Sequence, residues 1–253
     1  MTFRLLETGA HPGSFNMGLD EAILAAVAEG REPPTLRFYG WNPPTVTLGY
    51  FQGLDEELDR EACARMGVDI VRRITGGGAV FHDAELTYSI VLPESHTLAR
   101  PGILDSYRIL CAGVVEGLAR FGVPAEFAPI NDVLVGGQKI SGNAQTRKRG
   151  CILQHGTILL DVDVDRMFAL LKVPSEKMKG KLIEDVKQRV TSLRRILGRI
   201  VGLDEAASAF AAGFSEALNI RLEAARASPR ELEDADRIAR EKYKTEEWTA
   251  KRR

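Results

Sequence analysis

The feature that most restricts how this chain can fold is a glycine triplet, Gly76–Gly78, within the stretch VRRITGGGAVFHD. The preceding residues, VDIVRRI, have the composition of a strand, and LTYSIVLP predicts another strand shortly after the glycines. Three consecutive glycines carry a large ordering cost, which disfavours a purely structural purpose. The sequence therefore predicts a strand, a glycine loop and a second strand, with the bare backbone of the loop approaching another group closely.

The known phosphate-binding signatures do not describe this loop. The residues after the glycines, AVFHDAELTYSIV, do not open a helix, and no GK[ST] ending is present. A loop of this kind can still wrap its backbone N–H groups around an anion or a slender ligand, with Arg72 or Arg73 beside it. The alternative is a bulged hairpin turn with solvent-exposed arginines, and this stretch alone leaves both interpretations open.

Composition and charge exclude several classes of protein. The chain has 253 residues, of which 44% are hydrophobic and 27% charged, as in a globular protein with a sizeable core. The net charge of −1 offers no global field for nucleic acid or a membrane. The only basic cluster near the motifs, TRKRG at 146–150, lacks interleaved aromatic residues, so we expect no nucleic-acid partner. No apolar stretch approaches the roughly 18 to 20 residues that span a bilayer, so we expect no membrane partner either.

The cysteines and the N-terminus indicate a cytoplasmic protein. Cys63, Cys111 and Cys151 are odd in number and widely separated, which fits reduced thiols and gives no disulfide framework or zinc spacing. The N-terminal residues MTFRLLETGAHPGSFN lack the basic and apolar regions of a signal peptide. We therefore predict a cytoplasmic location.

Helix and strand signals alternate along the chain. Ser14 is predicted to cap a helix from about residue 15 to 29, and a long helix is predicted to end at Gly122. PTLRFYGW and TVTLGYFQ read as two strands separated by a turn at NPP, and Gly136-Gly137 predicts a hairpin turn. A capping box beginning at Ser228 predicts a last helix. Short connections between strands favour antiparallel pairing, so the predicted class is α+β, with a mixed, largely antiparallel sheet flanked by helices.

Three motifs carry a family resemblance. They are RRITGGGAVFHD at 72–83, NDVLVGGQKISGNA at 131–144 and HGTILLDVD at 155–163. In this order and spacing they resemble the lipoate-protein ligase A family of the biotin/lipoate ligase superfamily, and the likeness runs from about residue 5 to 200. It implies a single catalytic domain over 1–253, with a helical C-terminal segment from about 201 to 253 and without the accessory C-terminal domain of longer ligases.

The resemblance implies an ATP-dependent lipoate-protein ligase. Lipoate and ATP would form lipoyl-AMP, and the lipoyl group would then pass to a specific lysine of an acceptor lipoyl domain. ATP and Mg²⁺ are expected as co-substrate and activator, lipoate as substrate, and no tightly bound prosthetic group. The expected acceptors are a 2-oxoacid dehydrogenase E2 subunit, the glycine cleavage H protein or a related lipoate-binding protein, and a separate accessory ligase subunit is a further expected partner.

Lys139 is the expected catalytic residue, because its ammonium can bridge the acyl carbonyl oxygen and the α-phosphate during activation and transfer. Asp132 is the expected Mg²⁺ ligand. The full set of expected substrate- and adenylate-binding residues is Arg73, Thr75, Gly76, Gly77, Gly78, Ala79, His82, Asn131, Asp132, Ser141, Gly142, His155, Gly156 and Thr157. His82 and His155 have the weakest independent claims, since a histidine in a strand is commonly a satisfied core residue.

The alternative is a cysteine-dependent octanoyl- or lipoyl-transferase, which moves an acyl group from a carrier protein without ATP. Such an enzyme needs a thiolate nucleophile. The segment before the lysine hairpin, AEFAPINDVLV, contains no cysteine, and the stretch after the third motif, LLKVPSEKMKG, carries Ser175. Cys151 lies where neither transferase type places its nucleophile. These observations favour the ligase. A third class, a non-catalytic binding module, would need the loop but not Lys139.

Overall fold

A computed structural model of the protein describes residues 1–99, 102–172 and 176–252. Ser175, at which one transferase type would carry its cysteine, lies outside the described residues.

The strands are β1 (Thr2–His11), β2 (Thr35–Trp41), β3 (Thr45–Leu48), β4 (Asp69–Arg72), β5 (Val80–His82), β6 (Glu85–Pro93), β7 (Glu126–Ala128), β8 (Asp132–Val135), β9 (Gln138–Lys148), β10 (Cys151–Leu159) and β11 (Arg221–Ala225). The helices are α1 (Gly13–Ala28), α2 (Leu54–Glu57), α3 (Arg60–Arg65), α4 (Ile103–Ala119), α5 (Val164–Leu170), α6 (Glu176–Arg189), α7 (Leu193–Leu197), α8 (Leu203–Leu218), α9 (Pro229–Ile238) and α10 (Glu246–Thr249). A 3₁₀ turn at Thr97–Ala99 precedes α4, and a π-helical turn at Ala239–Tyr243 extends α9.

Two sheets organise the described chain. The larger has eight strands in the order β11-β1-β2-β6-β10-β9-β8-β7, and the smaller has three in the order β4-β3-β5. In the larger sheet, β1 pairs in parallel with β2 and β11, whereas the pairs from β2 through β6, β10, β9 and β8 to β7 are antiparallel. The predicted α+β class with a mixed, largely antiparallel sheet flanked by helices is confirmed.

Helices cover both faces of the large sheet. On one face, α4 and α8 enclose a core with Tyr88, Leu110 and Phe214. On the other, α1 packs against α9 and encloses a second core with Leu19 and Tyr39. A third cluster lies between the small sheet and α3. Among the described residues, no helix is long and apolar enough to cross a membrane.

Local signals predicted the β8–β9 turn and the start of α9, but not the start of α1. The turn residues Gly136 and Gly137 adopt φ values of +56° and +78°, as a tight hairpin requires. The capping box of α9 is complete, because Ser228 and Glu231 exchange hydrogen bonds at its N-terminus. The predicted cap of α1 is wrong. The helix begins at Gly13 after Pro12, so Ser14 lies inside its first turn, and no side chain caps it.

Two features of the sheets depend on long-range pairing. The predicted strands on either side of NPP do not form one ladder, because β2 belongs to the large sheet and β3 to the small one. The C-terminal segment after residue 201 contains α8, α9 and α10, and it also supplies β11, which pairs in parallel with β1. This segment is therefore built into the large sheet.

The contact between α4 and α8 allows a test of the packing. A Cβ added at Gly213 of α8 would lie 2.3 Å from the backbone nitrogen of Gly117 in α4, so the helices would have to separate. We expect Gly213→Ala to lower the free energy of unfolding by about 1–3 kcal/mol, as overpacking does. Urea denaturation measures this.

The matched control is Gly180→Ala in α6, where an added Cβ meets no atom within 4 Å. That change should stabilise the protein slightly, because alanine is the better helix former. Equal stabilisation by both substitutions would contradict the close helix contact.

Candidate active site

The glycine loop folds back onto the end of β3. A Cβ added at Gly49, directly after β3, would lie only 1.9 Å from the carbonyl oxygen of Gly77. Gly77 itself has φ +94°, a conformation that side chains disfavour. Backbone thus meets backbone here, which explains why glycine is needed on both sides of the contact.

The guanidinium of Arg73 holds the glycine loop in place through hydrogen bonds. Its Nη2 donates to the carbonyl oxygens of Gly76 and Gly78 at 2.8 and 2.7 Å. Its Nη1 donates to both oxygens of Thr47, and its Nε donates to Thr75 Oγ1. The residue is 4% exposed, and this burial lowers the pKa of the guanidinium to about 10. Every nitrogen of the guanidinium is therefore engaged within the protein.

Arg72 is also buried, and it points the other way. Its guanidinium donates to the carbonyl oxygens of Gly49, Gln52 and Thr249, which ties the start of the loop to the C-terminal helix α10. The interpretation of the stretch as a bulged turn with solvent-exposed arginines is therefore wrong.

Two similar side-chain chains, here called threonine–histidine relays, lie beside the loop, and each runs from a threonine hydroxyl through a histidine ring to a carboxylate. The first begins at Thr47. Thr47 Oγ1 lies 2.8 Å from His82 Nε2, and His82 Nδ1 lies 2.7 Å from Glu85 Oε1. Because the carboxylate can only accept, His82 Nδ1 carries a proton and donates to Glu85 Oε1. The His82 ring stacks on Trp41 at 4.0 Å. Glu85 Oε2 is buried without a hydrogen-bond partner among the described residues.

The second relay starts from Thr75. Its hydroxyl lies 2.7 Å from His155 Nε2, and His155 Nδ1 lies 3.3 Å from Asp20 Oδ2. Burial lowers the pKa of His155. Burial raises the pKa of Asp20, but the hydrogen bond from His155 and the charge of Arg37 outweigh it, so the net shift is downward. A neutral imidazole next to an ionised carboxylate follows, which holds Thr75 in place.

Lys139 lies just beyond the tight turn of the β8–β9 hairpin. Its Nζ is 2.7 Å from Asp132 Oδ1, an ion pair whose angles fall outside those of a hydrogen bond. The two side chains are 41% and 32% exposed. A Cβ at Gly142 would lie 2.7 Å from Lys139 Cε and 2.8 Å from Nζ. The lysine therefore lies across a glycine, which accounts for its K-I-S-G context.

Asn131 joins the start of the hairpin to its second strand. Its backbone carbonyl accepts from the backbone and side-chain nitrogens of Asn143, and its own side chain donates to the Asn143 carbonyl. Asn143 is held in turn by the hydroxyl of Tyr88 at 2.6 Å. This network fixes the strand that carries Lys139.

The loop and the hairpin face a common cavity of about 550 Å³. The expected site residues that line it are Arg73, Gly77, Gly78, Ala79, His82, Asn131, Lys139, Gly142, His155, Gly156 and Thr157. The other four do not line it. Thr75 and Ser141 are buried, Gly76 accepts from Arg73, and Asp132 pairs with Lys139.

Several lining residues were not predicted. The apolar ones include Met17, Trp41, Val164, Met167, Val186 and Val190. They come from α1, β2, α5, α6 and the residue directly after α6, and none of them was predicted as a site residue. Thr47 and Glu85 were also missed, although their histidine partner was expected to contact ligand. In the described residues, no group of three His, Cys, Asp or Glu side chains could hold a metal ion.

Curated proteins of similar length resemble this chain throughout. An octanoyltransferase LipM of Geobacillus kaustophilus is 41% identical, over 99% of this chain and 98% of that protein. The octanoyltransferase LipM of Bacillus subtilis is 38% identical, over 99% of each.

Two solved structures of lipoate protein ligases resemble this chain over almost all of its length. One is a bi-partite lipoate protein ligase of Thermoplasma acidophilum, described with its E2 lipoyl domain. Its sequence is 33% identical and its TM-score is 0.90, and the match covers 99% of this chain and 96% of the ligase chain. A lipoate-protein ligase A bound with ATP is 32% identical with a TM-score of 0.83, over 99% of both chains.

The prediction of an ATP-dependent ligase is wrong, because the two curated relatives named above, which match almost the whole chain, are octanoyltransferases. ATP and Mg²⁺ as co-substrate and activator are withdrawn with it, and so is the Mg²⁺ role of Asp132. The motifs could not separate the two reactions. An octanoyltransferase and a lipoate-protein ligase A are each more than 30% identical to this chain over almost all of its length, so overall likeness does not separate the two reactions either.

The resemblance to the family itself is confirmed. The model of the lipoyl protein ligase A/B catalytic domain matches residues 12–215, which is most of the chain. Lipoylation is thus the process to which its relatives and structural neighbours belong. The chain belongs to the lipoyl protein ligase A/B catalytic-domain family.

Proposed function

We propose that this protein is an octanoyltransferase of protein lipoylation. It moves an octanoyl group from the thioester of an acyl carrier protein to a lysine amine of an acceptor lipoyl domain, without ATP. The names of its full-length relatives support octanoyl as the acyl group. The ligase that shares its fold was described with an E2 lipoyl domain, which supports an acceptor of that class.

The structural observation that carries acyl-group binding in this proposal is the position of Lys139 at a cavity otherwise rich in apolar side chains. An octanoyl tail gains about 0.8 kcal/mol for each CH₂ group that it buries, so a cavity with Met17, Trp41 and Val190 in its wall favours it. The bare backbone of Gly77 and Gly78 allows the slender chain to pass close by.

Lys139 supplies the electrostatic contribution. When an amine attacks a thioester, negative charge develops on the carbonyl oxygen, and a positioned ammonium stabilises that charge. Asp132 orients the ammonium by the 2.7 Å ion pair, and the missing side chain at Gly142 leaves room for it. The two threonine–histidine relays hold the glycine loop opposite.

The cytoplasmic location predicted from the sequence remains part of this proposal. The three cysteines are unpaired, which supports it.

The direct test supplies purified protein with an octanoyl thioester of acyl carrier protein and an apo-lipoyl domain, in buffer without ATP. Intact-mass spectrometry of the lipoyl domain should show the addition of one octanoyl group. A lipoyl domain modified only when ATP and free octanoate or lipoate are supplied would refute the proposal, and so would an unmodified one. A non-catalytic binding module would also leave the lipoyl domain unmodified.

Removal of the ammonium should abolish most of the transfer. We expect Lys139→Ala to lower kcat/KM by about 10²- to 10³-fold, the usual effect of removing one oxyanion-stabilising group. Steady-state rates of lipoyl-domain octanoylation measure this. Lys148→Ala, at the far end of the same strand, is the matched control and should retain wild-type rates. A fully active Lys139→Ala variant would show that the ammonium takes no part in transfer.

Displacing the lysine without removing it should have a similar effect. An alanine side chain at position 142 would push against Lys139 Cε and Nζ, both of which can move, so the fold should tolerate the change. We expect Gly142→Ala to lower kcat by about 10-fold or more with less than about 1 kcal/mol lost in unfolding free energy. Rate measurements and urea denaturation on the same sample check both. Wild-type kcat would contradict the proposed position of the ammonium.

A further inference from the structure

The segment at 189–203, here called the arginine strip, is strongly basic although the net charge of the chain is −1. It contains four arginines, Arg189, Arg194, Arg195 and Arg199, and no acidic residue. All four are exposed. Every cation of the strip is thus a guanidinium, a group that can donate two parallel hydrogen bonds to one phosphate, whereas a lysine ammonium binds phosphate as a point charge.

The arginine strip also exposes large apolar side chains. Ile200 is 74% exposed, Ile196 37% and Leu203 38%. Leu193 and Val201 lie in the core enclosed by α4 and α8, so they anchor the strip while the other three side chains remain in contact with solvent. Arginine in combination with exposed apolar side chains is typical of a surface that binds another protein.

The strip lies at the opening of the cavity. Arg194 pairs with Asp161 at 2.6 Å, and the guanidinium of Arg195 donates to the carbonyl oxygen of Val190 at 3.2 Å. Asp161 and Val190 both line the cavity, and the side chain of Asp161 is 36% exposed. The cavity therefore reaches solvent beside these two arginines.

Arg195 has hydrogen-bonding capacity left for a ligand. The Val190 carbonyl is the one partner of its guanidinium within the described part of the chain. Arg199, in contrast, donates from two nitrogens to both carboxylate oxygens of Glu205. A guanidinium has five N–H donors, so most of those of Arg195 are open to an anion from outside.

We propose that the arginine strip is the surface on which the acyl carrier protein docks, and that Arg195 binds the phosphodiester of the carrier's phosphopantetheine arm. The acyl group of a carrier thioester is held on this arm, so a phosphate anion lies between the reactive sulfur and the carrier. The acceptor instead presents a lysine ammonium, which exposed guanidinium groups repel. The inference rests on the proposed function and goes beyond it, because it assigns one of the two protein substrates to a surface.

The strip is within reach of such an arm. The backbone N–H of Thr191 donates to the carbonyl oxygen of Lys139 at 2.9 Å, and Arg195 follows four residues later. Four residues span at most about 14 Å, and an arm of about 13 bonds between phosphorus and sulfur spans about 16 Å by the same bond geometry. A phosphate at Arg195 therefore allows the thioester to enter the cavity.

Two small donors that differ only in the phosphate test the role of Arg195. Wild-type protein should use octanoyl phosphopantetheine with a kcat/KM about 10-fold above that for octanoyl pantetheine, because only the first offers a charge-assisted contact. Arg195→Gln should remove this preference and leave the rate with octanoyl pantetheine unchanged. An equal loss with both donors would refute the phosphate contact, since it would reflect damage to the cavity.

Charge reversal tests docking of the whole carrier. We expect Arg195→Glu to lower kcat/KM for octanoyl–acyl carrier protein by about 10-fold or more and to leave kcat/KM for the apo-lipoyl domain unchanged. The variant should fold, because a glutamate three residues after the cap Ser192 suits the start of α7. A loss confined to the lipoyl domain would assign this face to the acceptor and overturn the inference.

The matched control is Arg226→Glu, which reverses an exposed arginine directly after β11, at the edge of the large sheet away from the β8–β9 hairpin. It should keep wild-type values with every donor and acceptor. Ile200→Ser provides a second variant without a change of charge. It should weaken use of the carrier and leave octanoyl pantetheine unaffected, and wild-type use of the carrier would contradict docking on the strip.

A binding measurement separates this inference from the proposed function. Isothermal titration calorimetry with acyl carrier protein that bears its phosphopantetheine arm without an acyl group requires no transfer. We expect binding to wild-type protein and about 10-fold weaker binding to Arg195→Glu. Equal affinity for both proteins, or no binding to wild type, would overturn the inference. Binding through the strip without any ATP-free transfer would refute the proposed function alone.

Discussion

The candidate site depends on one buried guanidinium. Arg73 is the point at which the glycine loop, the end of β3 and both threonine–histidine relays meet, because its nitrogens donate to the loop carbonyls and to Thr47 and Thr75. The two threonine hydroxyls contact the imidazole rings of His82 and His155, and the other ring nitrogen of each histidine contacts a carboxylate. A buried cation with all its nitrogens satisfied fixes geometry well, and loss of one partner would leave a costly unpaired group. The loop can therefore be both free of side chains and rigid.

Sequence reasoning succeeded where the signal was local. Gly136 and Gly137 predicted a tight hairpin because their conformation is demanded by the turn itself, and Ser228 predicted a helix start through its own capping box. It failed where a partner distant in sequence decided the outcome. The separation of β2 from β3, and the pairing of β11 with β1, follow from packing that no short pattern encodes.

The same distinction applies to the site. Eleven of the residues expected from the motifs line the cavity, because glycine and lysine positions are read directly from the sequence. Thr47, Trp41 and Glu85 were missed, since contacts with His82 and Arg73, which are distant in sequence from Thr47 and Trp41, help to place them at the cavity. The reaction class was also missed. A cavity that binds an activated acyl group serves a ligase and a transferase equally, and the choice depends on the donor, which the motifs do not describe.

The central claim is that the glycine loop and the Lys139 ammonium hold one acyl group between them. A crystal structure of the protein with the octanoyl amide analogue of the carrier thioester, in which nitrogen replaces the reactive sulfur, tests it most directly. We predict that the octanoyl tail lies along Gly77 and Gly78 and that its carbonyl oxygen lies about 3 Å from Lys139 Nζ. An octanoyl group bound outside this cavity, or a carbonyl oxygen pointing away from the ammonium, would contradict the account.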